Sequence, residues 1–189
     1  MDSNRRLTLQ VVDLDGHPRR NFSVSLIKPG AQSYPTTDEN GEYTAEGLLA
    51  EETTISVFAP GVAPGQPSPV PEGAVLPDPV KLVPDGQVVT MQLRKGVPFT
   101  GVVFKVDGQP AEKAMVTIQT ADFVATNGTT DASGRFKVWV TPGQKLMMAH
   151  AMLMGPNGPA GMKQLQGTDL EKAMEKSELE IHLEPYKGR

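Results

Sequence analysis

Three groups of residues in this chain carry side chains able to do chemistry. Met148-Ala149-His150-Ala151-Met152 sets two thioethers and an imidazole at alternate positions, and soft sulfur with imidazole is a donor set that Cu(I) accepts. On an extended strand these three side chains share one face, with about 7 Å between successive members. Ligands strung along a single strand cannot converge without help from elsewhere, so an apolar face is the preferred reading. Asp13 with Asp15, and Asp38 with Glu39 and Glu42, could supply oxygen ligands to calcium. Asx-turn chemistry explains an Asp at such places without any ion. The related stretch Asp131-Ala132-Ser133-Gly134-Arg135 offers one carboxylate only, so structural turns are expected. The histidines His17, His150 and His182 are the available bases near neutral pH. They fall in a turn and in two separate later strands. The expectation is therefore no catalytic residue, no metal and no cofactor, and a small-molecule ligand is not expected.

Composition narrows the partners. The net charge is −4 and no basic face is evident, whereas a nucleic-acid partner needs clustered Lys and Arg to displace counterions from phosphate. With no cysteine, disulfides, thiolate metal sites and a Cys nucleophile are excluded. No apolar run reaches the length of a membrane-spanning helix. No apolar segment follows Met1-Asp2-Ser3-Asn4-Arg5-Arg6, so a signal peptide is not expected. Localisation stays open between two expectations: an envelope or extracellular setting for a piece of an exported chain, or a cytoplasmic or particle-associated one.

The elements that must position these groups come in two copies. Asp15-Gly16-His17-Pro18 and later Thr37-Asp38-Glu39-Asn40-Gly41-Glu42-Tyr43 return as Asp107-Gly108-Gln109-Pro110 and Thr130-Asp131-Ala132-Ser133-Gly134-Arg135-Phe136. Gly108 lies 92 residues after Gly16, and Gly134 lies 93 after Gly41. A period this long is a whole domain rather than a solenoid unit, which divides the chain into 1–94 and 95–189, with Arg94-Lys95-Gly96 as a short joint. Leu7, Leu9 and Val11 alternate with polar residues, as do Phe22, Val24 and Leu26, then Ile55, Val57 and Ala59, then Val89, Met91 and Leu93. This is the period-2 pattern of half-buried strands. In the second copy Phe99, Gly101 and Val103, Val116 and Ile118, Met147, Ala149 and Ala151, and Leu179, Ile181 and Leu183 follow in the same order. Thr168-Asp169-Leu170-Glu171 reads as a capping box, which predicts one short helix over Asp169–Lys176, with Leu170, Ala173 and Met174 on one stripe.

Gly108 to Val116, then Thr130-Asp131, Gly134-Arg135-Phe136 and Pro142-Gly143, resemble the carboxypeptidase regulatory-like domain. The first copy matches through Asp15-Gly16, Pro18, Val24, Thr37-Asp38 and Gly41-Glu42-Tyr43 but lacks the Pro-Gly pair. The resemblance implies an all-β fold: two tandem seven-stranded transthyretin-like (Ig-like, prealbumin-type) β-sandwiches, with the short helix before the last strand of the second. It also implies a non-catalytic module of the kind appended to enzymes, adhesins, transporters and particle assemblies. Where that family has a Gly before the second strand, this chain has Asn21 and Lys113, and Asn accepts left-handed geometry at lower cost than Lys. The 5-hydroxyisourate hydrolases, which share the fold, are echoed in Leu7 to Asp13 and in Tyr186-Lys187-Gly188-Arg189. Their first-strand histidine would fall near Gln10 or Val102, so proton transfer has no obvious base.

The repeat also supplies an internal control. Outward strand positions in the first copy are mostly polar (Gln10, Thr44, Thr54 and Ser56, with Val12 and Phe58 as exceptions). The second copy has Val102, Lys137, Met148 and His150 there, with Phe104, Trp139 and Met152 nearby. Antiparallel sandwiches normally solvate their outer faces, and a contiguous apolar outer patch signals a cover. That cover could be the helix stripe, the first domain, a protein partner or a second copy of the chain. Val102, Phe104, Trp139, Met148, His150 and Met152 are thus the candidate partner-binding residues. Two further candidates are the loops Pro60–Pro84 and Gly155–Gly161. The expected function is a spacer and protein-interaction module of an envelope, secreted or adhesive assembly. The alternatives are a component of a virus particle or contractile injection machine and, last, the hydrolase.

Overall fold

The computed structural model describes residues 5–27, 34–59, 70–121, 124–156, 158–174 and 178–186. Between Lys95 and Gly96 the chain passes from one compact unit to a second. Both are all-β, with one helix among the described residues.

In the first unit, β1 (Arg5–Val12), β2 (Ser23–Ile27), β3 (Glu42–Leu48) and β4 (Thr53–Phe58) are followed by β5 (Ala74–Val75), β6 (Val80–Leu82), β7 (Val88–Gln92) and β8 (Arg94–Lys95). One three-stranded sheet runs β3-β1-β7, a second runs β2-β4-β6, and β5 and β8 form a two-stranded one. β1 is antiparallel to β3 and parallel to β7. Leu7, Leu9, Val11, Val24, Leu26, Ile55, Val57 and Met91 are all buried, as their alternation requires. The Pro60–Pro84 stretch is not a plain loop. Within it β6 pairs with β4 and β5 pairs with β8, while residues 60–69 lie outside the described ones. Arg94 and Lys95, read as a joint, are themselves the strand that β5 pairs with.

The second unit repeats these pairings with β9 (Val97–Phe104), β10 (Met115–Thr120), β11 (Ala125–Thr129), β12 (Arg135–Val140), β13 (Leu146–Gly155), β14 (Gly158–Gln166), α1 (Gly167–Met174) and β15 (Leu179–His182). Its sheets are β12-β9-β15 and β11-β10-β13-β14, seven strands among the described residues. Between them lies a core of Val103, Val116, Ile118, Phe136, Val138, Ala149, Ala151, Leu165, Leu179 and Ile181. The first unit has six strands in its two three-stranded sheets, besides the β5-β8 pair, among the described residues; a single Ser23–Thr36 bridge stands where β11 pairs Thr129 with Met115.

The shared turn residues explain why both copies fold alike. Asn21 and Lys113 sit at φ of 64° and 60°, the left-handed corner that the missing glycine predicts. Each corner is tied by a buried threonine. The Thr37 hydroxyl accepts from the Phe22 N–H at 3.1 Å and donates to the Arg19 carbonyl at 2.8 Å. The Thr130 hydroxyl accepts from the Ala114 N–H at 2.8 Å and donates to the Ala111 carbonyl. Gly41 and Gly134 also take positive φ, and a Cβ there would meet the Val11 and Val103 carbonyl oxygens at 2.6 and 2.5 Å. Only glycine fits such an approach.

Three expectations about the second unit are corrected. The Gly155–Gly161 segment is the bend and start of a hairpin, with β14 beginning at Gly158 and pairing along β13; Asn157 lies outside the described residues. Met147 is not a core residue. It occupies a bulge, since Gln119 pairs with Met148 and Thr120 with Leu146, and it is 48% exposed. The helix starts at Gly167, and Glu171 Oε1 accepts from Lys145 Nζ at 3.0 Å instead of closing a capping box. Leu170 and Ala173 pack on the core, so the helix stripe plugs the sandwich interior and does not cover an outer face. The Met174 side chain, Glu175 and Lys176 lie outside the described residues, as do Met1–Asn4 and the Lys187–Arg189 tail.

Candidate functional site

The six candidate residues divide between the two sheets of the second unit. Met148, His150 and Met152 alternate on β13 with the buried Ala149 and Ala151, so they point away from the core. Strand register then builds a face around them. Met148 lies between Gln119 and Gln166, His150 between Thr117 and Gln164, and Met152 between Met115 and Met162. β11 extends these rows with Ala125, Asn127 and Thr129, and the Thr117 hydroxyl donates to Asn127 Oδ1 at 2.8 Å. Met115, Met148, His150, Met152 and Met162 are all half-buried. Three thioethers therefore lie side by side in one cross-strand row.

Met115 and Met162 escaped the sequence reading. Met162 falls just past the segment taken as a loop, although Met162, Gln164 and Gln166 alternate there with Lys163 and Leu165. Met115 begins β10, and its strand partner across the sheet is not local in sequence.

Val102, Phe104 and Trp139 belong to the sheet β12-β9-β15. Val102 is not available to a partner. It lies in a row between Arg135 and Glu180 and is 9% exposed, with Arg135 held by the Glu178 carboxylate at 2.6 and 2.8 Å. Phe104 stacks on His182 with ring centroids 4.9 Å apart. Trp139 carries Lys137 Nζ 4.7 Å from its ring centroid. This second face is aromatic but ringed by charge, and it is not continuous with the methionine face.

The register also amends the internal control. Ser23 pairs with Phe58 and Ser25 with Ser56, as Met115 pairs with Met152 and Thr117 with His150. In the fourth strand the copies are therefore offset by 94 residues, so Thr54, Ser56 and Phe58 correspond to Met148, His150 and Met152. Facing direction survives the change because two residues is one full strand period.

The ionisable groups are spent on structure. Asp38 Oδ1 accepts from the Asn40 and Glu42 N–H groups, each at 2.9 Å. Asp131 Oδ1 accepts from Ser133 N–H and Oγ and from Arg135 N–H. The Ser133 hydroxyl, then the Arg135 N–H, hold the Asp131 carboxyl below the usual carboxylate range despite slight desolvation. Asp13, Asp15 and His17 bring ligand atoms within 4.8 Å of one another. Asp13 is the anchor of that turn: Oδ1 accepts from the Asp15 and His17 N–H groups at 2.9 Å, and Oδ2 faces Arg19 at 3.1 Å. Burial alone would raise its pKa, but those N–H groups and the Arg19 guanidinium outweigh it and leave it lowered. The second copy closes the same turn with Lys105 in that place; Lys105 N–H reaches Gln109 O at 2.7 Å. His150 and His182 stand on different sheets of the second unit, and His17 is in the first.

Comparison with protein-family models gives no match, and comparison with curated proteins gives none. Among solved structures the chain is similar to the Bacillus anthracis TIE protein, at 14% identity and a TM-score of 0.40, over 95% of this chain and 33% of that one. It is similar to a streptococcal ancillary pilin at 11% identity and a TM-score of 0.36, over 99% of this chain and 64% of that one. The shaft pilin SpaA from Lactobacillus rhamnosus GG is also similar, at 11% identity and a TM-score of 0.36, over 98% and 99% of the two chains. The chain thus spans about a third of the first of these proteins and just under two thirds of the second.

Proposed function

We propose that this chain is a non-catalytic structural and protein-interaction module, two transthyretin-like sandwiches serving as spacer and adaptor in an envelope, secreted or adhesive assembly. One observation carries the reading. The outer face of the sheet β11-β10-β13-β14 presents Met115, Met148, His150, Met152 and Met162, whereas the corresponding positions of the first unit hold Ser23, Thr54, Ser56 and one exposed apolar residue, Phe58, with Ser25 buried. The two copies differ there although strand alternation turns these positions away from the core in both. Methionine suits a contact surface because it is flexible and polarizable, and Met is enriched where interfaces bury surface. Two neighbouring observations agree with a non-catalytic role: the acidic turns are held by backbone N–H groups, and His150 and His182 stand on different sheets of the second unit. No described helix is long and apolar enough to cross a membrane.

Site-specific photo-crosslinking tests this. A benzoylphenylalanine at Gln164, exposed on the methionine face, should give a discrete protein adduct in the native host, and one at Thr54 on the first unit's face should give none. Adducts absent at both positions, from a protein that sediments as a strict monomer, would overturn the reading. So would turnover of 5-hydroxyisourate by the pure protein.

A further inference from the structure

We infer that Met115, Met152 and Met162, together with His150, form a binding site for a soft monovalent cation of the Cu(I) class. Along β13 alone, Met148, His150 and Met152 are too far apart to share an ion. The sheet supplies what the strand lacks. Met152 has Met115 directly across on one side and Met162 directly across on the other, and side chains so paired have Cβ atoms roughly 5 Å apart. His150 projects from the same face one strand period before Met152, about 7 Å along the chain. A methionine turns about three side-chain bonds, so Met152 and either flanking sulfur can swing to one ion while the imidazole closes from the row below.

The character of the ion follows from the donors. Thioether and imidazole are neutral and soft, and such ligands select Cu(I) over the hard divalent cations that carboxylates hold. Across the four strands of the sheet the other members of these three rows are uncharged (Gln119, Gln166, Thr117, Asn127, Gln164, Ala125 and Thr129); beyond β14 Glu184 bridges to Met162, and its carboxylate is taken by the Lys163 ammonium. The corresponding row of the first unit has Ser23 and Phe58 and no sulfur. This inference uses the same face as the interaction reading but does not rest on it: metal uptake is measured on the isolated chain, adduct formation in the host.

The test is an anaerobic titration of the full chain with Cu(I), kept reduced by ascorbate, against bicinchoninate. One ion per chain should be withdrawn from the competitor. Met152→Leu, which keeps the face apolar, should weaken retention at least tenfold, with smaller losses for Met115→Leu and Met162→Leu. Methionine-methyl NMR with Ag(I) gives a second readout that needs no variant. The signals of Met115, Met152 and Met162 should move. Met147, in the bulge and 48% exposed, and Met154, 50% exposed opposite Pro159, should stay still. Failure to compete with bicinchoninate, unchanged retention by Met152→Leu, or equal movement of Met147 and Met154 would each overturn the site.

Discussion

The two units run corresponding strands through corresponding pairings, yet they dress one sheet differently. In the first, Ser23, Ser25, Ser56 and Phe58 hold the outward positions of β2 and β4, Ser25 being buried and Phe58 exposed. In the second, Met115, Thr117, His150 and Met152 occupy those places on β10 and β13. Inward residues and corners are nearly interchangeable between the copies, because the threonine tie, the left-handed corner and the tight glycine recur. A sandwich is specified by what it hides and by how it turns, and the outward set is left free to acquire a role.

The interior itself holds the sharpest difference. Leu9 faces Tyr43 in the first unit, whereas Gly101 faces Phe136 in the second. A Cβ on Gly101 would lie 2.5 Å from the Phe136 ring and 2.6 Å from the Leu179 carbonyl oxygen. Overfilling such a site costs about 3 kcal/mol. Gly101→Ala should therefore shift the second unit's urea unfolding by that amount. Trp139, the sole tryptophan, reports that unit alone by fluorescence. An unchanged midpoint would mean that Phe136 does not pack on Gly101.

The next largest effect tests sameness. Thr37→Val and Thr130→Val each strand a buried backbone donor and acceptor, so each should cost about 2 kcal/mol in its own unit, read by circular dichroism and by Trp139 fluorescence. A loss confined to one unit would show that the two corners are not equivalent.

These corners were legible in the sequence because turn chemistry is local. The residue types at Thr37, Asp38, Gly41, Thr130, Asp131 and Gly134 state their own geometry, and alternation marks which strand residues face in. Pairing is not local, and there the reading fell short. β14 opens Gly158-Pro159-Ala160-Gly161, which has little strand propensity. It is held as a strand by β13 on one side and by the reciprocal Met162–Glu184 backbone bonds, both 3.0 Å, on the other. The Met147 bulge and the offset of 94 residues likewise depend on the partner strand. For that reason two of the three methionines in the row are not legible in the sequence, and Val102, which does alternate outward, lacks the exposure expected of it because Arg135 and Glu180 flank it.

Smaller effects separate the outer faces. Met152→Ser should cost the second unit about 1 kcal/mol or less, measured by the same melt, while abolishing the Gln164 crosslink. A large stability loss would make Met152 a core residue instead. The smallest effect concerns pH. Asp131 and Asp13 have folded pKa values below their unfolded ones, so both contribute stability that is complete above the ordinary carboxylate pKa. It is lost as pH falls through the lowered values. Asp131→Asn should flatten the acid limb of the second unit's stability curve below about pH 4; a limb identical to the parent's would remove Asp131 from the account.

The parallel pairing of β1 with β7 and of β9 with β15 has a mechanical consequence. The strand by which the chain enters each unit lies beside a strand near its exit, and both run the same way. Tension along the polypeptide would slide these neighbours past one another, loading their rungs together instead of peeling them off singly. Each sandwich is therefore wired to hold under pull, and optical-tweezer traces should show abrupt, high-force rips in place of gradual extension.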